Sequence, residues 1–346
     1  MPSWQQRRPM HILTINTGSS SIKAATFDGE RRLTSGQRGE LSSPDAFAGA
    51  LAALLPPFPP AAAGHRIVAP LDWKQPQRLT PALLRQLRAL VPLAPDHLPQ
   101  ALAAVEAVSA AFPSLPQVLC SDSAFHHSMP EVARRLPLPA LDHAAGVELA
   151  RFGYHGLSCE YIASVLEAEA AADLGRPLPD RLVIAHLGHG SSLTAVRAGQ
   201  SLDTTMGFTP LSGLVMSTRT GDLDPGVLLY LLRACHYTPE ALSRLLNQQS
   251  GLAGISGLSG DMQTLLASKL PAARAAVASF VYSARKHLGA LAFVLGGVDL
   301  IVFTGGIGEH ADDIRRQIAG DLPFRVISTD EERMLARHTA RLLGEH

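Results

Sequence analysis

The sequence predicts an α/β protein of two domains, and three observations carry that prediction. The chain has 346 residues, enough for two separately buried cores. Short β-rich runs alternate with Ala/Leu-rich stretches of helical length. Two similar hairpins with small-residue tips, residues 12–27 and 183–196, stand about half a chain apart, which is how a duplicated design reads.

The elements follow in order. Residues 11–15 form a strand, 17–20 a turn and 21–27 the returning strand. Residues 44–55 are helical, and the prolines of 56–63 (PPFPPAAA) end that helix. A strand at 65–68 precedes a helix at 80–90, opened by a Thr80 cap before Pro81. A helix at 99–112 leads to a buried strand, 116–120, that runs out at Asp122. Residues 136–139 are loop, 144–150 a short helix, and 151–158 a loop entering the helix 160–171. The second hairpin pairs 182–185 with 193–196. Helices at 227–233 and 238–246 precede a Gly/Ser loop at 251–261 and a long helix, 271–295, with the apolar spacing of a buried one. A strand at 299–304 stops at Gly305-Gly306-Ile307-Gly308-Glu309; a helix (312–320), a strand (324–328) and a closing helix (330–343) complete the chain.

Composition narrows the function. Lys+Arg and Asp+Glu both total 30, so no net charge draws the chain to nucleic acid or to an anionic membrane. Cys120, Cys159 and Cys235 are too few and too scattered for a disulfide framework or a zinc site, and point to reduced thiols in the cytoplasm. The N-terminal stretch has no apolar core of a signal peptide, and the most apolar run, 290–307, holds Asp299 and four glycines, so no membrane span is expected.

Four Gly/Ser-rich turns follow strands or loops: 18–21, 188–192, 257–260 and 305–308. Bare backbone N–H groups from several turns suit a polyanion such as a nucleoside triphosphate. Neither GxxxxGK[ST] nor an N-terminal GxGxxG occurs, which excludes a P-loop and a dinucleotide fingerprint there. In 218–222, Arg219 stands as a cation among hydroxyls in a loop. His126 and His127 resemble a metal pair, but adjacent side chains diverge on regular elements, so packing or surface roles are expected. Glu331 and Glu332 fall in a first helical turn, where carboxylates favour the dipole in any case.

Nine segments, INTGSSSIK, SDSAFHHSMP, RFGYHGLS, HLGHGSS, DTTMGFTPLSGL, STRTGDLDPG, GISGLSGDM, FTGGIGEH and STDEE, occur in one order. That order resembles the acetate kinases of the acetokinase family, which includes propionate and butyrate kinases, and the likeness runs from residue 11 to about 340. The resemblance implies the superfold of sugar kinases, heat-shock chaperones and actin: duplicated ribonuclease H-like domains around a cleft. Residues 1–124 with 330–346 would form one domain and 125–329 the other. It implies reversible phosphoryl transfer from ATP to acetate, giving acetyl phosphate and ADP, with Mg²⁺ or Mn²⁺, in a cytoplasmic homodimer without nucleic-acid or membrane partners.

The resemblance also implies roles. Asp122, His155 and Arg219 are catalytic, the last two stabilising the transition state. Arg66 and His97 bind the carboxylate substrate, and Val68, Tyr154 and Pro210 line the acyl pocket. Lys23 contacts ATP; His186, Leu187, Gly188, His189 and Gly190 form its phosphate loop. Asp261, Met262, Gln263, Gly306, Ile307, Gly308, Glu309 and His310 belong to nucleotide-binding segments, and Asn16 and Glu331 to the metal. Elementary chemistry agrees. A carboxylate acceptor is already ionised, so the demand is for positive charge and positioning rather than for a base. A planar Arg66 can grip a carboxylate with two hydrogen bonds. Asp122 is then an organiser of Mg²⁺ and its waters.

The chain also departs from the family pattern. The His-Gly-Gly expected after the arginine motif is replaced in HRIVAPLDW; His189 replaces Asn; Leu157 and Cys159 alter HGTSH; Gln263 replaces an adenosine-side Arg; Asp96 occupies an apolar position. The stretch between Gly308 and Glu331 lacks a segment that most members carry, and the first domain is trimmed. Two other readings follow: a kinase for propionate, butyrate or another short acid, and a catalytically decayed nucleotide-binding regulator.

Overall fold

The computed structural model describes residues 10–18, 21–39, 41, 43–139, 147–172 and 178–344. Ser19 and Ser20 of the first turn, and residues 144–146 of the expected short helix, lie outside these. The described residues fall into two compact units. The first lies within Met1–Ala124, Asp142–Val147 and Asp330–His346; the second lies within Phe125–Leu141 and Glu148–Thr329.

In the first unit, β1 (His11–Thr17) and β2 (Ile22–Asp28) form an antiparallel hairpin extended by β3 (Arg31–Arg38). Then come α1 (Pro44–Ala52), β4 (Ala62–Ile67), the short β5 (Gln77–Arg78), α2 (Pro81–Ala89), α3 (Leu98–Ala111) and β6 (Gln117–Ser121). Strand order is β3-β2-β1-β4-β6-β5, with β1, β4 and β6 parallel. Thr80 caps α2 as expected, accepting from the Leu83 N–H at 3.1 Å.

The second unit contains α4 (Glu131–Arg134), α5 (Gly156–Ala172), β7 (Leu182–Leu187), β8 (Ser191–Arg197) and β9 (Gln200–Thr204). Helices α6 (Pro225–Arg233), α7 (Pro239–Gln248), α8 (Gly251–Ser256), α9 (Met262–Ala267) and α10 (Pro271–Leu295) follow. Next are β10 (Leu300–Thr304), α11 (Gly305–His310), α12 (Asp312–Ala319) and β11 (Phe324–Val326). The chain then returns to the first unit as α13 (Glu331–Leu342). The second sheet runs β9-β8-β7-β10-β11, again a three-stranded meander followed by parallel strands. Each meander shifts register in its second pairing, between Thr26 and Phe27 and between Ala195 and Val196. The duplication read from two hairpins therefore extends to the order and direction of five strands.

Alternation along the first strand of each meander decides what the site receives. In β1, Leu13 and Ile15 pack with α1 and α3, while Ile12 packs beside Ala336 of α13. Asn16 shares the Ile12 face. In β7, Val183, Ala185 and Leu187 join the core with α10, while Leu182 and Ile184 face α5. His186 shares that second face.

Several expectations are corrected. The 251–261 stretch is not all loop: α8 occupies its first half, because buried Leu252 anchors it and the Leu252 N–H bonds to the Met216 carbonyl at 2.8 Å. The 305–308 run is helical rather than a turn, with Glu309 Oε1 accepting from the Gly305 N–H at 3.0 Å. Residues 147–150 of the expected short helix are not helical; Ala150 bridges Arg135 instead. Helix α5 starts at Gly156, earlier than read. Strands β3, β5 and β9 and helix α9 were not anticipated; β3 buries no residue, so it carries no hydrophobic signal.

Candidate active site

The first unit gathers a polar group under α13. Arg66 of β4 forks onto Asp122: Nε donates to Oδ1 at 3.0 Å and Nη2 to Oδ2 at 2.8 Å. Its Nη1 donates to Asn16 Oδ1 at 3.1 Å and lies 3.4 Å from Glu331 Oε2. The Asn16 amide donates to Glu331 at 2.7 Å and to Glu332 at 3.0 Å. Asp122 is wholly buried, and Asn16, Glu331 and Glu332 are nearly so. Burial pulls the Arg66 pKa down, but Asp122, Glu331 and Glu332 outweigh it and the net shift is upward. Arg32 of β3 reaches Asp330 and lies 3.8 Å from Glu332. Beside this group, Lys23, Arg32, Gln37 and Glu332 line a cavity of about 230 Å³. Val68 is buried just past β4, and His97 precedes α3 without capping it by a side-chain bond.

The second unit gathers the cations. His155, just before α5, has φ +59, a left-handed backbone uncommon outside glycine. Its Nδ1 lies 2.9 Å from Ser192 Oγ, and its ring stacks on His186 with centroids 4.0 Å apart. His186 Nδ1 lies 2.8 Å from Ser158 Oγ. Gly190, in the β7–β8 turn, explains why the turn is glycine-rich: a Cβ there would stand 3.2 Å from His155 Nε2 and 3.3 Å from Arg219 Nη1. The imidazole and the guanidinium thus converge on one backbone point. Arg219 is buried and donates to the Pro210 carbonyl at 3.3 Å. Partial burial and the Arg219 charge lower the pKa of His189. A Cβ on Gly188 would come 3.7 Å from the Gly306 nitrogen, so this turn adjoins the start of α11.

Other predicted site residues have structural duties. Tyr154 is buried, and its hydroxyl donates to the Phe208 carbonyl at 2.6 Å. The Leu187 and Met262 side chains belong to the hydrophobic core, Ile307 packs against it, and Gly308 is buried. Asp261 caps α9, accepting from the Thr264 N–H at 2.8 Å, while Gln263 is exposed. Glu309 accepts from Gly305, Thr304 and the Thr329 N–H. His310 Nδ1 lies 3.0 Å from the Gly306 carbonyl. His126 has the packing role expected: its Nε2 faces the Tyr154 carbonyl at 2.9 Å, so that nitrogen carries the proton and Nδ1 accepts from Ser201. Sequence reasoning missed Glu332 as a partner of Asn16, and Ser158 and Ser192 as holders of the imidazoles. Nothing local distinguishes these from other helix-start carboxylates and serines.

A duplicated meander sheet, with a carboxylate–guanidinium group on one unit and paired imidazoles and a guanidinium beside a glycine turn on the other, defines the class: the sugar kinase, heat-shock chaperone and actin superfold. The sequence profile of the Acetokinase family matches residues 60–343. An acetate kinase from Rhodopseudomonas palustris is 40% identical, covering 96% of this chain and 98% of that relative. The crystal structure of Porphyromonas gingivalis acetate kinase superposes with a TM-score of 0.81 at 29% identity, over 96% of this chain and 99% of that one. A propionate kinase from Francisella tularensis gives 0.83 at 28% identity, with the same coverage. The chain belongs to the acetokinase family.

Proposed function

We propose that this protein reversibly transfers the terminal phosphoryl group of ATP to acetate, giving acetyl phosphate and ADP. The observation that carries this reading is the convergence of His155 Nε2 and Arg219 Nη1 beside Gly190, in a chain whose relatives are named acetate kinases. In the forward direction an acetate oxygen bonds to phosphorus. The bond from phosphorus to the bridging oxygen breaks, and its electron pair leaves with ADP. The acceptor is already an anion, so no base is needed. Catalysis then rests on cations around the transferring oxygens. His155 and Arg219 supply them, and the turn holding Gly188, His189 and Gly190 offers backbone N–H groups to the phosphates.

Arg66 has a different part from a free carboxylate clamp. Its fork is committed to Asp122, so Asp122 fixes the guanidinium and only its remaining N–H groups serve acetate. Val68 and His97 of the same unit would line that subsite. A hard divalent cation fits the first unit, where Glu331 and Glu332 converge on Asn16 while Asp122 already matches Arg66. Asn16, Glu331 and Glu332 would hold Mg²⁺ or Mn²⁺, which would offset phosphate charge when bound. Among the described residues no three His, Cys, Asp or Glu side chains form a ready metal cage. That suits an ion whose remaining ligands are waters and phosphate oxygens.

The test is a hydroxamate assay of acyl phosphate formed from ATP with acetate, propionate or butyrate, run beside Arg219→Ala. Acetate turnover lost by at least about a hundredfold in the variant is the expected result. ATP binding with no acyl phosphate from any acid would leave a nucleotide-binding regulator. A sharp preference for a longer acid would favour the second reading, motivated by Asp96 and Gln263 and by the propionate kinase neighbour.

A homodimer and a cytoplasmic setting belong to the same proposal. Helix α10 exposes Tyr282, Phe293 and Val294, and α6 exposes Val227, Leu229 and Tyr230, apolar surface that a second copy would cover. Cys120, Cys159 and Cys235 form no disulfide. Among the described residues no helix is long and apolar enough to cross a membrane. Sedimentation of the purified protein decides between monomer and dimer.

A further inference from the structure

Arg219 lies in an irregular segment, so its backbone must be held by something other than a helix or a strand. Gly213 and Asp222 close that segment at its base. The Asp222 N–H donates to the Gly213 carbonyl at 2.9 Å, and the Gly213 N–H donates to Asp222 Oδ1 at 2.8 Å. The closure is tight: Gly221 has φ +70, and a Cβ there would stand 2.3 Å from the Leu214 carbonyl oxygen. Asp222 Oδ2 is taken by His287 Nε2 at 3.1 Å, and His287 Nδ1 lies 2.9 Å from the Ser283 carbonyl, one turn back on α10.

A carbonyl and an ionised carboxylate only accept. The His287 ring therefore meets both contacts in full only as a donor at each nitrogen. Burial pushes the Asp222 pKa up, but the His287 bond, the Gly213 N–H and the charges of His287 and Lys286 hold it below the usual carboxylate range. The His287 side chain is 13% exposed and that of Asp222 is 54% exposed. Two cavities, of about 560 and 470 Å³, are both lined by Thr220, Asp222 and His287. The contact is thus bordered by open space rather than packed in a core, and it stands beside another bond from this loop to α10, the Val215 N–H donating to Ser283 Oγ at 3.2 Å.

We propose that His287, acting through Asp222, is a positioning residue that ties the Arg219 loop to helix α10. The proposal rests on the phosphoryl-transfer reading. It asks of residue 287 a positive donor, not an imidazole as such.

Two variants of the full chain test it, His287→Leu and His287→Lys, by steady-state kinetics and by amide exchange across 213–222. The expected result is a kcat about fivefold lower for His287→Leu, the scale of one half-exposed ion pair. The KM values for ATP and acetate stay unchanged, and exchange in the loop is faster. His287→Lys restores both readouts. Unchanged exchange in His287→Leu overturns the tie. Faster exchange with an unchanged kcat overturns positioning, and equal losses in both variants overturn the role of charge. If the wild type makes no acyl phosphate from any acid, the functional reading fails separately, while exchange still decides the tie.

Discussion

The imidazoles of His155 and His186 stack with their planes inclined by only 20°, and each is anchored through Nδ1 by a different serine. The stack aims His155 Nε2 at the Gly190 turn, so His186 acts as its backing plate. His186→Phe keeps a flat ring behind His155, whereas His186→Ala removes it. The expected order of kcat is wild type, then Phe, then Ala, with the alanine variant lower by roughly tenfold or more. Acetyl phosphate formation at saturating ATP measures it; equal rates for Phe and Ala would show that stacking is idle.

Gly190→Ala places a methyl group 3.2 Å from His155 Nε2 and 3.3 Å from Arg219 Nη1. The two side chains must give way by a few tenths of an ångström at the point where charge develops. We expect kcat to fall by on the order of tenfold to a hundredfold. The melting temperature should move little, because nothing in the core is disturbed. Kinetics beside calorimetry on the same preparation separates the two effects.

Asp122→Ala leaves the largely buried Arg66 guanidinium without the carboxylate that accepts two of its N–H groups. Breaking such a pair costs about 3 kcal/mol. A urea titration should show that loss as a lower midpoint at unchanged slope. Activity should fall with it, through Arg66 moving toward Glu331. A midpoint within error of the wild type would mean that Arg66 re-pairs freely.

His65 is buried on β4, and neither ring nitrogen makes a hydrogen bond of good geometry. Burial lowers its pKa to about 4, against a smaller upward pull from Gln117. The unfolded chain titrates nearer 6.5, so between those values only the unfolded state binds the proton. Stability contributed by the neutral ring is therefore complete above pH 6.5 and is lost as pH falls toward 4, by about 3 kcal/mol. Unfolding free energies at pH 7 and pH 4.5 should differ less in His65→Leu than in the wild type.

What was legible in the sequence was mostly local. Thr80 before Pro81, the apolar spacing along Pro271–Leu295 and the β-rich runs of two hairpins each depend on neighbours a few residues away, and all three appear where expected. Signals failed where tertiary contacts overrode composition. Glycines at 305–308 became helical with Glu309 held between the Gly305 and Thr329 N–H groups, and polar β3 took its place by pairing along β2. The motifs named the site residues by resemblance, but not their partners.

Only the tertiary structure decided that Arg66 spends its fork on Asp122, 56 positions away, and that Asn16 meets Glu331 across 315. It alone put Gly190 against His155 and Arg219. Periodicity and capping are properties of a few consecutive residues and can be read in order. Pairings like these depend on strand register and on which face each strand turns to its helices, which form only when the whole sheet does.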